Sequence, residues 1–235
     1  MIKMVVSSFY NTLINEEDAV PVSTMLEIER IRKKGILFTI CTNRTYKEVL
    51  DYNKDFPFID YIIFLNGSCV YDVKKERCIS KNKITTANLK KIGELTRDSN
   101  VTFYGEENIY RNLDDIKEDI YKIEIELTGN ENYLEEIEKR KGNYSILKKD
   151  GKEYFEITSQ KSNMFTGVDN ISLRNNINFN EILTITSNES DLSLINNIPN
   201  SYIVENADEI LRKKTKKRTT SNINKGVETV LKKIK

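Results

Sequence analysis

In the N-terminal part of the chain, short continuous apolar runs alternate with amphipathic stretches. Residues 2–6 read as a strand, because Ile2, Met4, Val5 and Val6 are nearly unbroken apolar sequence. Residues 23–34 read as a helix with Met25, Ile28 and Ile31 on one stripe, Ser23 placed to cap its start and Gly35 to end it. Residues 36–41 and 61–65 are again continuous apolar runs, as expected of parallel strands buried on both faces, with a short helix over 45–52 between them. Segments 69–72 and 77–80 read as a hairpin after the Asn66-Gly67 turn. This β-α-β-α-β order predicts an α/β fold with a doubly wound parallel sheet and ligands at the carboxyl ends of its strands.

After about residue 83 the pattern changes. Helical stretches (86–97 and 131–139) are interleaved with isolated strands (101–104, 122–127, 144–148 and 154–157), which predicts an α+β insert built on an antiparallel sheet. The β-α order then resumes with strands at 182–186 and 202–204 and helices at 191–196, 207–213 and 225–233. The expected organisation is a core of residues 1–83 and 158–235 with an inserted domain at 84–157, its hinges near 81–85 and 158–163. No internal repeat or low-complexity tract interrupts it.

Composition narrows the chemistry. The 235 residues carry a net charge of +1, so there is no global attraction to nucleic acid or anionic membrane, and the basic run 212–218 reads as a solvated helix end and loop. The apolar runs are strand-sized, far short of the roughly 18 residues a membrane span needs. The first of them passes into acidic residues 16–18 without a cleavage-site pattern, so a cytoplasmic location is expected. Cys41, Cys69 and Cys78 are unpaired by spacing, and Cys41 and Cys69 read as small buried hydrophobes. There is no histidine, which excludes Ser-His-Asp and Cys-His nucleophile pairs and any His-ligated zinc.

Several fragments stand out by order and spacing. Residues 5–13 read V-V-S-S-F-Y-N-T-L; Cys41-Thr42-Asn43-Arg44 follows the second strand; Asn66-Gly67-Ser68 follows the third. Glu156-Ile157 leaves the insert, residues 185–191 read I-T-S-N-E-S-D, Asn206-Ala207 follows, and Lys225-Gly226-Val227 opens the closing helix. In this arrangement the chain resembles the haloacid dehalogenase (HAD) superfamily, in particular its Cof-type sugar-phosphatase branch (subfamily IIB), over nearly its whole length. The resemblance implies a Rossmann-like HAD core with an inserted α+β cap of the C2 type. It also implies a magnesium-dependent phosphoric monoester hydrolase that works through an aspartyl-phosphate.

The chain departs from that family where its chemistry resides. Ser8 stands for the nucleophilic aspartate, Tyr10 for the acid/base aspartate, Met164 for the charge-balancing lysine (with Lys161 a near neighbour) and Ser187 for a metal-binding aspartate. A serine hydroxyl is protonated at neutral pH, and a phenol with a pKa of about 10 cannot replace a carboxylate of about 3.9. Asn11 replaces a glycine in the loop, a residue type that tolerates left-handed backbone. Asp191 is the one carboxylate left for a metal, and its alternative role is a helix N-cap; no magnesium cofactor is expected. Ser8, Thr42, Asn43, Asn66 and Asn188 are the candidate phosphate or ligand contacts, while Arg44 reads as a brace for its loop.

Three readings follow. One is a catalytically impaired homologue, a pseudophosphatase, binding a phosphorylated or polar small molecule in the cleft between core and cap. Another is an enzyme hydrolysing phosphate esters by an altered route through Ser8 or a directly activated water. The third is a protein-interaction module using the cap. A pocket filled by Tyr10 and Met164 would favour the third; an open one lined by Thr42, Asn43, Asn66 and Ser187 would favour the first.

Overall fold

The computed structural model describes residues 1–14, 19–53, 57–129, 131–149 and 151–235, and the acidic run at 16–18 lies outside them. In chain order the elements begin with β1 (Met4–Ser8), α1 (Val22–Lys33), β2 (Leu37–Cys41), α2 (Tyr46–Asn53), β3 (Tyr61–Phe64), β4 (Cys69–Asp72) and β5 (Arg77–Lys81). They continue through α3 (Thr86–Leu95), β6 (Val101–Tyr104), β7 (Ile109–Tyr110), β8 (Lys122–Glu126), α4 (Leu134–Glu138), β9 (Asn143–Lys149) and β10 (Lys152–Thr158). The last are α5 (Met164–Asn175), β11 (Ile182–Thr186), α6 (Leu192–Asn197), β12 (Asn200–Ile203), α7 (Glu209–Lys214) and α8 (Gly226–Leu231).

Two sheets result. The larger runs β12-β11-β1-β2-β3-β4-β5 and is parallel from β12 to β3, with β4 and β5 added as an antiparallel hairpin edge. The second, β7-β6-β8-β10-β9, is antiparallel throughout and comes wholly from chain between β5 and α5. Successive side chains of β1 point to opposite faces of its sheet. Val5 packs with Phe38, Ile40 and Ile62 on one side, while Met4 and Val6 pack with Ile63, Val168 and Ile171 on the other. Burial of each such side chain stabilises the fold by about 1.5–3 kcal/mol, which is why the first strand carries no polar alternation. A third cluster, with Ile92, Phe103, Ile123, Ile125 and Phe155 at its centre, fills the space between the antiparallel sheet and α3 and α4. Among the described residues no helix is long and apolar enough to cross a membrane.

One local expectation needs correction, and two elements add to those the sequence predicts. Ser23 does not cap α1, which starts at Val22; its hydroxyl instead donates to Glu228 Oε2 at 2.6 Å and ties α1 to α8. Helix α5 was not anticipated. Its Gly167 and its asparagines weaken the helical signal, yet tertiary packing requires that glycine, because a Cβ there would lie 2.5 Å from Ile63 Cγ2. The other added element is strand β7, two residues long and too short for any periodicity to reveal.

Candidate active site

The candidate site sits where the theory of open α/β sheets places it, at the carboxyl ends of β1, β2 and β11. β1 ends in Ser8, and the chain then makes one irregular turn over Phe9–Leu13. Within it Tyr10 is extended and Asn11 is left-handed at φ 58°. Asparagine adopts that conformation at little cost, so the turn survives without glycine. Phe9 is fully buried beneath it, and the Tyr10 ring meets Phe9 edge-on at 5.0 Å between centroids.

The polar groups gathered here bind one another. Ser8 Oγ donates to Asp191 Oδ2 at 2.7 Å, and Asn188 N–H donates to the same oxygen at 3.2 Å. The Cys41 thiol lies 4.0 Å from Asp191 Oδ1 and 3.5 Å from Ser8 Oγ. Thr12 Oγ1 donates to Ser187 Oγ at 2.8 Å, which in turn lies 3.5 Å from the Tyr10 carbonyl. Thr42 Oγ1 accepts from Arg44 N–H at 3.1 Å. Ser8, Thr12, Thr42, Ser187 and Asp191 are all buried. Burial pushes the Asp191 carboxyl up to about 6; the Ser8 hydroxyl and the Asn188 amide, which stabilise its ionised form, limit the rise. The Cys41 thiol is likewise raised, first by burial and then by the neighbouring Asp191 charge.

Asp191 stands at the N-cap position of α6, but its side chain makes no capping bond to that helix. Its carboxylate accepts from Ser8 Oγ and, in the capping box of the single turn Glu189–Asp191 that leads into α6, from the Asn188 amide, so it caps as the third residue of that turn and not as the N-cap expected for it. Met164 is buried and lines the same pocket as Ser8, in the position where the resemblance puts a lysine. Lys161 does not line that pocket: it is exposed and lines a separate cavity with Ile84, Thr85 and Thr158. Tyr10, Thr42, Asn43 and Asn188 do line the pocket, with Ser8 and Asp191 at its base.

Asn66 does not line it. Asn66 adopts φ 55° in a left-handed stretch with Leu65 and Gly67, and its Nδ2 donates to Glu156 Oε2 at 2.9 Å. Gly67 is obligatory at this point, since a Cβ would lie 2.0 Å from the Asn163 carbonyl oxygen. Arg44 lies over the Tyr10 ring at 3.9 Å and pairs with Glu48 at 3.5 Å. That stack holds the Tyr10 ring in place.

A group the sequence did not bring forward fastens the rim. Lys122, on β8, is buried, and its ammonium donates to the Asn43 carbonyl at 3.1 Å while pairing with Glu156 and, at 3.0 Å, with Glu124. Burial alone would lower its pKa; the two carboxylates outweigh it and hold the ammonium raised. The antiparallel sheet is thereby latched onto the loop after β2. What space is left between these groups is a cavity of about 10 Å³, room for one water at most.

The donor set does not fit magnesium. Among the described residues that line it Asp191 is the one carboxylate, already bonded to Ser8 and Asn188; the remaining donors are neutral hydroxyl and amide groups together with the soft Cys41 thiol and Met164 thioether, which offset none of a divalent charge. Among the described residues no three carboxylate or thiol side chains are grouped so that they could hold a metal ion.

The chain matches the family model described as haloacid dehalogenase-like hydrolase in two overlapping segments, residues 10–119 and 103–231. A haloacid dehalogenase-like hydrolase from Bacteroides thetaiotaomicron superposes with a TM-score of 0.84 at 17% identity, covering 100% of both chains. One from B. subtilis superposes at 0.87 with 15% identity, again over 100% of both. A further Bacteroides thetaiotaomicron protein, studied among the HAD phosphatases, gives 0.85 at 18% identity over 99% of this chain and 94% of its own. At such identities the likeness establishes the fold. No curated protein matches the chain in sequence.

Proposed function

The chain belongs to the haloacid dehalogenase-like hydrolases, and from that premise we propose that it is a member that no longer transfers phosphoryl groups, a pseudophosphatase. The observation that carries this reading is the Ser8–Asp191 hydrogen bond of 2.7 Å inside a pocket of about 10 Å³. In the family an ionised carboxylate attacks phosphorus and magnesium offsets the charge between them. Here the nucleophile position holds an un-ionised hydroxyl, and that hydroxyl is bonded inward. The lysine position holds Met164, packed among Met4, Val6 and Ile63. A phosphoryl group, bulkier than water, has no volume to occupy. Losing nucleophile, acid/base and metal site together removes far more than any one of them, because such groups act as a unit.

One observation favours a second reading. Ser8 donating to a carboxylate whose pKa is about 6 is the contact an activated serine needs. The same assay separates the two. The protein is assayed with p-nitrophenyl phosphate and a panel of sugar phosphates, magnesium present, beside Ser8→Asp/Tyr10→Asp/Met164→Lys/Ser187→Asp. We expect no turnover above buffer in the natural protein and measurable turnover in the restored one, with circular dichroism confirming that both are folded. Turnover in the natural protein that disappears in Ser8→Ala would sink the proposal and establish serine-based hydrolysis.

The function of such a protein is then binding, with residues 84–157 serving as the cap. The pocket, lined by Tyr10 and Met164 among others, keeps only about 10 Å³, which supports a role for the insert rather than for the old phosphate site.

A further inference from the structure

A second and far larger cavity, about 540 Å³, opens where the two chain crossings between the sheets lie side by side. It is walled by the first turn of α3, the turn after α4 and the strand end running from β10 into α5. Its volume falls within the ~300–1,000 Å³ typical of small-molecule sites. Its apolar floor is Ile84, Ile92 and Ile157, all buried, with the Tyr144 ring beside them.

The charge around this cavity is one-sided. Among the described residues Lys139, Arg140, Lys141 and Lys161 line it against a single carboxylate, Glu136. Glu136 is answered from outside the cavity by Lys91 at 3.7 Å. None of the four lining cations forms an ion pair among the described residues. The Nε–H of Arg140 is buried and has no hydrogen-bond partner among those residues either.

The backbone around it is fixed. The Tyr144 hydroxyl lies 2.8 Å from the Ile137 carbonyl and 2.7 Å from that of Arg140. Asn88 Nδ2 donates to the Lys141 carbonyl at 3.0 Å, and Thr85 caps α3 by accepting from Asn88 N–H at 3.3 Å. The N-terminus of a ten-residue helix therefore faces the same space as the cations, and its dipole adds to their field.

We infer that this hinge cavity is a binding site for a phosphate-bearing small molecule whose apolar or aromatic body rests on the isoleucine floor. A dianionic head matches several cations and a fork-shaped guanidinium better than a single carboxylate does. Because the site touches chain at 84–85 and at 158–161, its ligand would bridge both crossings. The inference does not depend on whether the core pocket turns over phosphate esters.

The test uses the full chain with adenosine 5′-monophosphate, adenosine and inorganic phosphate as probes, read by calorimetry at low salt and by amide hydrogen exchange. We expect the monophosphate to bind more tightly than adenosine and to weaken with added salt. It should slow exchange at 84–88 and 139–144. The exposed double variant Lys139→Gln/Lys161→Gln should bind it at least about tenfold more weakly, a loss of about 1.4 kcal/mol. Arg140→Gln should do the same, while Thr42→Ala in the core pocket should not. The inference is overturned if no probe binds at millimolar concentration or adenosine binds as well as its monophosphate. Protection confined to the strand ends near Ser8 and Ser187 would overturn it too.

Discussion

The core pocket and the hinge cavity are built from similar materials and differ in how those materials are used. In the core pocket the hydroxyls and the carboxylate are matched to one another: Ser8 to Asp191, Thr12 to Ser187, Thr42 to the Arg44 amide. The remaining space is about 10 Å³. In the hinge cavity about 540 Å³ stays open, and four cations around it have no ion-pair partner among the described residues. Polar residues at a strand end thus say little by themselves. A polar group already satisfied within the fold is structure; one left unsatisfied beside open volume is available to a ligand.

If the closed region is structural, changes there should cost stability. The largest effect belongs to Lys122, whose ammonium joins Glu156, Glu124 and the Asn43 carbonyl across the rim. Lys122→Ala leaves the Glu156 carboxylate buried without its cation and should lower the unfolding free energy by about 3–5 kcal/mol in urea titrations. A loss below about 1 kcal/mol, the range of exposed pairs, would show that the rim is wet and open in solution.

The next effect is a pH dependence. Asp191 rises from 3.8 to about 6 on folding, facing the Ser8 hydroxyl, the Cys41 thiol and, further off, the Asp208 carboxylate. The folded chain therefore holds this proton more tightly than the unfolded chain. That contribution is fully present below about pH 4 and is lost as pH rises through 6, a change on the order of 3 kcal/mol. Asp191→Asn should abolish this component, so the stability difference between natural protein and variant should fall across that window. A flat difference would mean that the carboxylate is hydrated and the pocket larger than about one water. Smaller again is Ser8→Ala, which removes a hydrogen bond to a buried carboxylate. It should destabilise the protein at pH 7 by about 1.5–3 kcal/mol, seen as a lower melting temperature.

Sequence carried much of this, unevenly. The unbroken apolar run of β1 announced a strand buried on both faces, and the order of strands announced the parallel sheet. The residues at the ends of β1, β2 and β11 were legible as one site because sheet topology dictates which loops meet. Side-chain direction was not legible. Asn66 turns away to Glu156, a residue on the other sheet, and Lys161 lines the larger cavity while Met164 packs into the apolar core. Nothing in its sequence neighbourhood sets Lys122 apart from the many other lysines; only the antiparallel sheet buries it beside two glutamates. Helix α5 was hidden by Gly167, a residue whose reason lies in Ile63 on a distant strand. The hinge cations stand far apart in sequence at 139–141 and 161, so only the fold brings them together.

The smallest expected effect is the sharpest test of the contrast. Lys161 is exposed, forms no ion pair among the described residues, and shares its cavity with Lys139, Arg140 and Lys141 against one described carboxylate, Glu136. Removing its charge takes away no hydrogen bond and relieves some mutual repulsion. Lys161→Gln should therefore leave the unfolding free energy within about 0.5 kcal/mol of the natural value, with any change toward greater stability. Its salt dependence should be slight, and opposite to that of a broken ion pair. Chemical denaturation at low and high salt measures both. A clear loss of stability at low salt would mean that Lys161 already has an acidic partner in solution, and the hinge cavity would then resemble the core pocket: polar, matched and closed to ligands.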